Sequence, residues 1–134
     1  MKIAFKTGSW LAIVTGILHL FGHFQEPKPE NDRERQMLEL MMGLKFDAGG
    51  VERSMWDVFS GLSLSFSLLL FLMGLHGLLI VRTSDPSLLR HTSWLYATAA
   101  AALTGLGLLY FPTPAFVCTG LVGLAYLAAS LKTS

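Results

Sequence analysis

From Met55 to Val81 the chain runs through nearly unbroken apolar sequence in which Asp57 is the single formally charged side chain. Crossing the hydrocarbon core of a bilayer takes about 20 helical residues, and inside it every backbone N–H and C=O must find its partner within the protein, which favours an α-helix. Three other segments meet the same condition, approximately 8–24, 91–111 and 113–131. The first is short and can begin near Ala4, with Lys6 reaching back to the interface. The stretch 55–81 is longer than a crossing needs, so it tilts or projects beyond the lipid. With 52% hydrophobic and 14% charged residues, an ordinary soluble domain is excluded.

Short connections separate the last three apolar segments, which predicts antiparallel neighbours. The expected fold is therefore all-α, a four-transmembrane-helix up-down-up-down bundle forming a single integral membrane domain over 1–134. Asp85-Pro86 reads as a helix start, with Asp as N-cap and Pro at the first helical position. Lys2 and Lys6 read as the flank of a retained first helix, since no small-residue cleavage site follows the apolar run. A multi-pass protein of an inner membrane with cytoplasmic N- and C-termini places Lys2, Lys6, Arg82, Arg90 and Lys132 inside, as the positive-inside bias favours. A net charge of +1 offers no basic field for DNA or RNA, so no nucleic-acid partner is expected. Cys118 is the one cysteine, which rules out an intrachain disulfide or a Cys-based zinc site.

The first loop, 25–54, is the substantial extramembrane element. Pro27 and Pro29 end the first helix, and Asn31 or Asp32 caps a second one over about 31–46. There Met37, Leu38, Leu40, Met41, Leu44 and Ala48 share one face, which predicts an amphipathic helix lying at the interface over the bundle mouth. Gly49-Gly50 supplies a flexible break before the second membrane helix.

An acid just inside a membrane helix needs a partner, because an uncompensated carboxylate in hydrocarbon is costly. His19, His23 and Glu26 fall at i, i+4 and i+7, on one face if the first helix persists to Pro27. Gly8, Ala12, Thr15, Gly16 and Gly22 lie along or beside that stripe, and small and polar residues mark the packed side of a membrane helix. Trp56, Asp57, Ser60, Ser63, Ser67 and Gly74 form a matching arc on the second helix. Antiparallel pairing of the two predicts a polar pocket at the non-cytoplasmic mouth, built from His19, His23, Glu26, Arg53, Trp56, Asp57 and Ser60. His76 and His91 lie near the other end and stay outside it, so the first-helix histidines lack a partner of matching depth for haem.

Three uses of such a pocket remain open. His19, His23 and Asp57 could ligate zinc or iron, although the glutamate that accompanies such histidines in helical metallohydrolases is replaced by Leu20; with that departure, no cofactor is the simpler expectation. A carboxylate beside imidazole could run acid-base chemistry on a lipid-like substrate. Alternatively the polar groups only fix register, with Asp57 paired to Arg53 or a histidine and the serines bonded to their own helix carbonyls. Ala97, Ala101, Gly105, Gly120, Gly123 and Ala128 would then serve close helix approach within a subunit, in a homo-oligomer, or as part of a larger membrane complex. The expected function is binding of a small amphipathic or lipid-like ligand at that mouth, with membrane lipid as the surrounding partner.

Lys45, Phe46, Gly50, Arg53, Ser54, Trp56, Asp57 and Gly61 spell Lys-Phe-x3-Gly-x2-Arg-Ser-x-Trp-Asp-x3-Gly. This pattern resembles a signature in a group of small bacterial four-helix membrane proteins. The resemblance implies a bacterial inner-membrane location and four helices, and brings no activity with it.

Overall fold

The computed structural model of the chain describes residues 1–83 and 85–132. Five helices and one hairpin follow in the order α1 (Lys2–His23), α2 (Asp32–Gly43), β1 (Lys45–Asp47), β2 (Glu52–Ser54), α3 (Met55–Ile80), α4 (Pro86–Tyr110) and α5 (Thr113–Leu131). Of these, α1, α3, α4 and α5 are long and apolar enough to cross a membrane, so the fold is all-α and the protein a multi-pass membrane protein. Large apolar side chains such as Leu62, Leu69 and Leu124 stand exposed on their flanks, as lipid-facing residues do.

The N-terminal boundary of α1 lies earlier than position 8, because Ile3, Ala4 and Phe5 extend the apolar pattern and Phe5 is fully buried. Likewise α4 begins at Pro86 rather than near 91. Asp85 caps it, its Oδ1 accepting from the backbone N–H groups of Ser87 at 2.8 Å and Leu88 at 3.2 Å, as the Asp-Pro signal predicts.

Extensive seams join α1 to α3, α1 to α5 and α4 to α5, whereas α3 and α4 meet sparsely although a short turn connects them. The expectation that all consecutive helices are close neighbours is therefore corrected. The reason lies in α1, which carries small residues towards two partners. Gly16 lies under the Ser67 carbonyl of α3, where a Cβ would stand 2.9 Å from that oxygen, and Gly8 lies under the Tyr126 ring of α5, 3.1 Å from where its own Cβ would be. Between apolar solvent and apolar core there is little hydrophobic drive, so the helices that can approach closest win the contacts. On α4 and α5, Gly107 receives Phe116 and Gly123 receives Ala100 in the same manner, and Thr104 donates to Thr119 at 3.1 Å.

A core of Phe5, Ala12, Leu89, Ala97, Ala100, Val122, Tyr126 and Ala129 occupies the middle and the end of the bundle near the chain's N-terminus. Burial fades towards the first loop: Gly16 is the last buried residue of α1 and Ser67 the first of α3. The loop-side turns of these two helices hold each other and are otherwise half-open.

The loop itself differs from its expected form. Asn31 caps α2, its side chain accepting from the Glu34 N–H at 3.0 Å, but the helix stops at Gly43 instead of continuing to 46. Lys45 to Ser54 form an antiparallel hairpin with Lys45 opposite Ser54, Phe46 opposite Arg53 and Asp47 opposite Glu52, so Ala48 is in a turn and not on a helix face. Gly49 and Gly50 adopt φ of 73° and 87°, a region closed to most side chains. The Asp47 carboxylate fastens the turn by accepting from the Gly50 N–H at 2.6 Å. What reads as a flexible break is thus an ordered reversal. On α2, Leu38 and Met41 are half-buried while Met37, Leu40 and Leu44 are exposed; its contacts are with β2 and the start of α3.

Candidate functional site

The loop-side end of the α1/α3 seam is where the sequence places the site, and its register follows from the glycines. With Gly16 against Ser67 and Gly74 against Ser9 and Ile13, the antiparallel pair brings His19 level with Ser63. Their side chains meet, His19 Nε2 lying 3.1 Å from Ser63 Oγ. The Phe66 ring stands edge-on to the imidazole at 5.0 Å between centroids. The stripe-to-arc pairing read from the sequence is present in its loop-side half, where Gly16 lies against Ser67 and His19 against Ser63, whereas Gly8 packs on Tyr126 of α5. Gly22 departs from it, with open space around its Cα.

The other predicted members sit differently. His23 is half-buried at the end of α1, its ring packed edge-on to Phe24. Glu26 has left the helix: Phe24 is the C-cap, the Gln25 N–H donates to Gly22 O at 3.3 Å, and the residue before Pro27 is biased towards extended conformations. The third point of the i, i+4, i+7 face is consequently missing. Trp56 and Ser60 are half-buried on α3, Trp56 in its first turn beside Asp57 and Ser60 one turn before Ser63.

Asp57 is explained by its own helix end. Ser54 is the N-cap of α3, and the two residues form a capping box: Ser54 Oγ accepts from the Asp57 N–H at 3.1 Å, and Asp57 Oδ2 accepts from the Ser54 N–H at 2.9 Å. Two otherwise orphaned N–H groups are satisfied this way, and the carboxylate lies near the positive end of the helix dipole. Asp57 is exposed, so it needs neither Arg53 nor a histidine as counter-ion. Arg53 instead donates to the Glu52 carbonyl at 3.1 Å. Serine followed three residues later by an acid at the head of an apolar run was the signal for this cap. Ser54 itself is buried, and Ser54→Ala is expected to cost about 1 kcal/mol. Amide hydrogen exchange would read the loss as faster exchange confined to the hairpin and the first turn of α3.

His19, His23 and Asp57 are not gathered as one metal set. Among the described residues no three His, Cys, Asp or Glu side chains gather as a metal site, because Asp57 is held by the cap. The remaining polar pair is a serine and an imidazole in hydrogen-bonding contact. Such a contact suits a nucleophile and its base only when a third group orients the ring, and among the described residues none bonds to His19 Nδ1.

A second polar assembly, at the opposite end, has no counterpart in the sequence reading. The buried Tyr126 hydroxyl donates to Ser9 Oγ at 3.1 Å, and Ser9 Oγ donates to the Phe5 carbonyl at 3.0 Å. The Tyr126 ring also meets Phe5 and Tyr96 edge-on, at 5.3 Å and 5.0 Å. Tyr96 hydrogen-bonds in turn to His76 Nδ1, which bridges the sparse α3/α4 seam. His76 and His91 do stay outside the first site, His91 being tied to Ser87 one turn before it. Tyrosines within apolar helices were the available signal, since a buried phenol seeks a hydrogen-bond partner.

No family model matches this chain, nor does any curated protein or solved structure.

Proposed function

We propose that the protein binds a small, uncharged amphipathic or lipid-like molecule at the loop-side mouth, with its polar head on His19 and Ser63. The observation carrying this reading is the His19–Ser63 pair itself, half-open at the end of the α1/α3 seam where burial has stopped. A neutral imidazole and a hydroxyl can each exchange a hydrogen bond with a ligand hydroxyl, and the Phe66 ring supports the imidazole beside them. With Asp57 committed to a helix cap and neither His19 nor Ser63 paired to a charged group among the described residues, a neutral head suits the pair better than a charged one. In an apolar groove beside this seam, Gly16, Leu20, Leu64 and Phe71 line a cavity of about 330 Å³, room for a hydrocarbon tail. The location follows the resemblance and the charge distribution: a bacterial inner membrane, with both termini cytoplasmic and the acid-rich loop outside.

A second reading rests on the same contact: an interhelical hydrogen bond that fixes the register of α1 on α3. Native mass spectrometry of the detergent-solubilised protein with monoolein, an uncharged amphiphile, separates the two. Ligand binding predicts monoolein adducts on the native protein that fall about tenfold in a His19→Leu, Ser63→Ala double variant, the equivalent of roughly 1.4 kcal/mol. Thermal unfolding should move little, since membrane interhelical hydrogen bonds average about 0.6 kcal/mol. Equal adduct formation by both proteins would leave the register role alone standing.

A further inference from the structure

The bundle's other end has a different chemistry. The topology collects Lys2, Lys6, Arg82, Arg90 and Lys132 there, against Asp85 alone, and every other Asp and Glu of the chain belongs to the loop side. Within this basic end a cavity of about 490 Å³ opens between the start of α4 and the end of α5, lined by Ser87, Arg90, His91, Trp94 and Lys132 together with Met1 and Pro86. Its two cationic side chains come from different helices, Arg90 from the second turn of α4 and Lys132 from the C-cap of α5.

The one acid nearby is already engaged, since Asp85 accepts the Ser87 and Leu88 N–H groups at the head of α4. His91 Nδ1 donates to the Ser87 carbonyl at 2.8 Å, which anchors the ring and leaves Nε2 available. A guanidinium, an ammonium, a hydroxyl and an imidazole around one cavity form a donor set for phosphate oxygens, with Arg supplying the planar fork and Lys a point charge. Trp94, 43% exposed, lies one turn beyond Arg90 along α4, and the exposed Leu95 beside it continues into the lipid-facing surface. Tryptophan favours the headgroup level of a bilayer. A free anion would use the donors but not this apolar floor; a lipid uses both.

We infer that this cavity binds the phosphodiester headgroup of an anionic membrane lipid, held by Arg90 and Lys132 with its glycerol region against Trp94. Basic side chains near an anionic leaflet attract it whatever their arrangement, so the test must separate a built site from diffuse charge. The full chain in mild detergent is mixed with equal amounts of phosphatidylglycerol and phosphatidylcholine, and the adducts are counted by native mass spectrometry. The native protein should prefer phosphatidylglycerol by about tenfold. R90Q/K132Q should reduce that preference to near parity, while K2Q/K6Q, which removes the same charge from the same end outside the cavity, should retain most of it. Parity in the native protein would overturn the inference without recourse to any variant. So would equal losses in the two double variants, which would mean diffuse attraction. Displacement of the lipid by millimolar inorganic phosphate would also overturn it, since the site would then belong to a free anion.

Discussion

Tyr126→Ala is expected to lower stability by about 3–5 kcal/mol, the range for deleting a large aromatic from a packed core. Tyr126 is fully buried and joins three helices at once. Its ring lies against Gly8 of α1 and meets Phe5 and Tyr96, and its hydroxyl donates to Ser9. In a membrane the lost contacts outweigh lost burial, because lipid is as apolar as the protein interior and close packing supplies the attraction. Tyr126→Phe keeps the ring and removes only the hydroxyl, so its cost should be about 1 kcal/mol. Thermal unfolding in detergent would give both values. A Tyr126→Ala protein as stable as the Tyr126→Phe protein would mean that the ring is not the keystone of the α1/α5 seam.

Gly74→Ala is expected to lower stability by about 1–3 kcal/mol through an overpacked contact. An added Cβ would stand 2.5 Å from the Ser9 carbonyl oxygen and 2.6 Å from Ile13 Cγ1. The first of these atoms belongs to the backbone of α1 and cannot rotate away, so the helices must separate. Separation there also disturbs His19 and Ser63 further along the seam, and monoolein binding should fall with stability. Gly105→Ala is the matched control, because nothing lies within 4 Å of the new atom. Its expected effect has the opposite sign, a gain of roughly 0.5–1 kcal/mol from helix propensity. If both alanines behaved alike, the close approach of α1 and α3 would be disproved.

Most of the secondary structure was legible because hydrophobic length and capping chemistry are local. Asp85-Pro86 predicted the start of α4, and small residues on one face predicted which side of α1 would be buried. The hairpin from Lys45 to Ser54 escaped because its strands are three residues each, too short for a period-two pattern, and because Gly49-Gly50 reads equally as slack or as a turn. Glu26 was misplaced by extending α1 through the residue before Pro27, where the backbone already leaves the helix.

The candidate site shows the same division more sharply. Phase and depth bring the loop-side part of the first-helix stripe to the serine arc of α3, where His19 meets Ser63. They could not say what Asp57 does, since a carboxylate at the third helical position is equally a buried charge or half of a capping box until the path of the preceding residues is known. The reversed chain at Ser54 decides it, by turning that serine's hydroxyl and N–H onto Asp57.

Length and apolarity thus determined by sequence alone that four helices are long and apolar enough to cross a membrane. Such properties depend on each segment's balance with lipid and water, and need no knowledge of its neighbours. Tertiary structure alone decided that α1 stands between α3 and α5 and that Arg90 and Lys132 share a cavity. Those outcomes depend on how closely particular backbones can approach, a property of pairs of helices that no single segment carries.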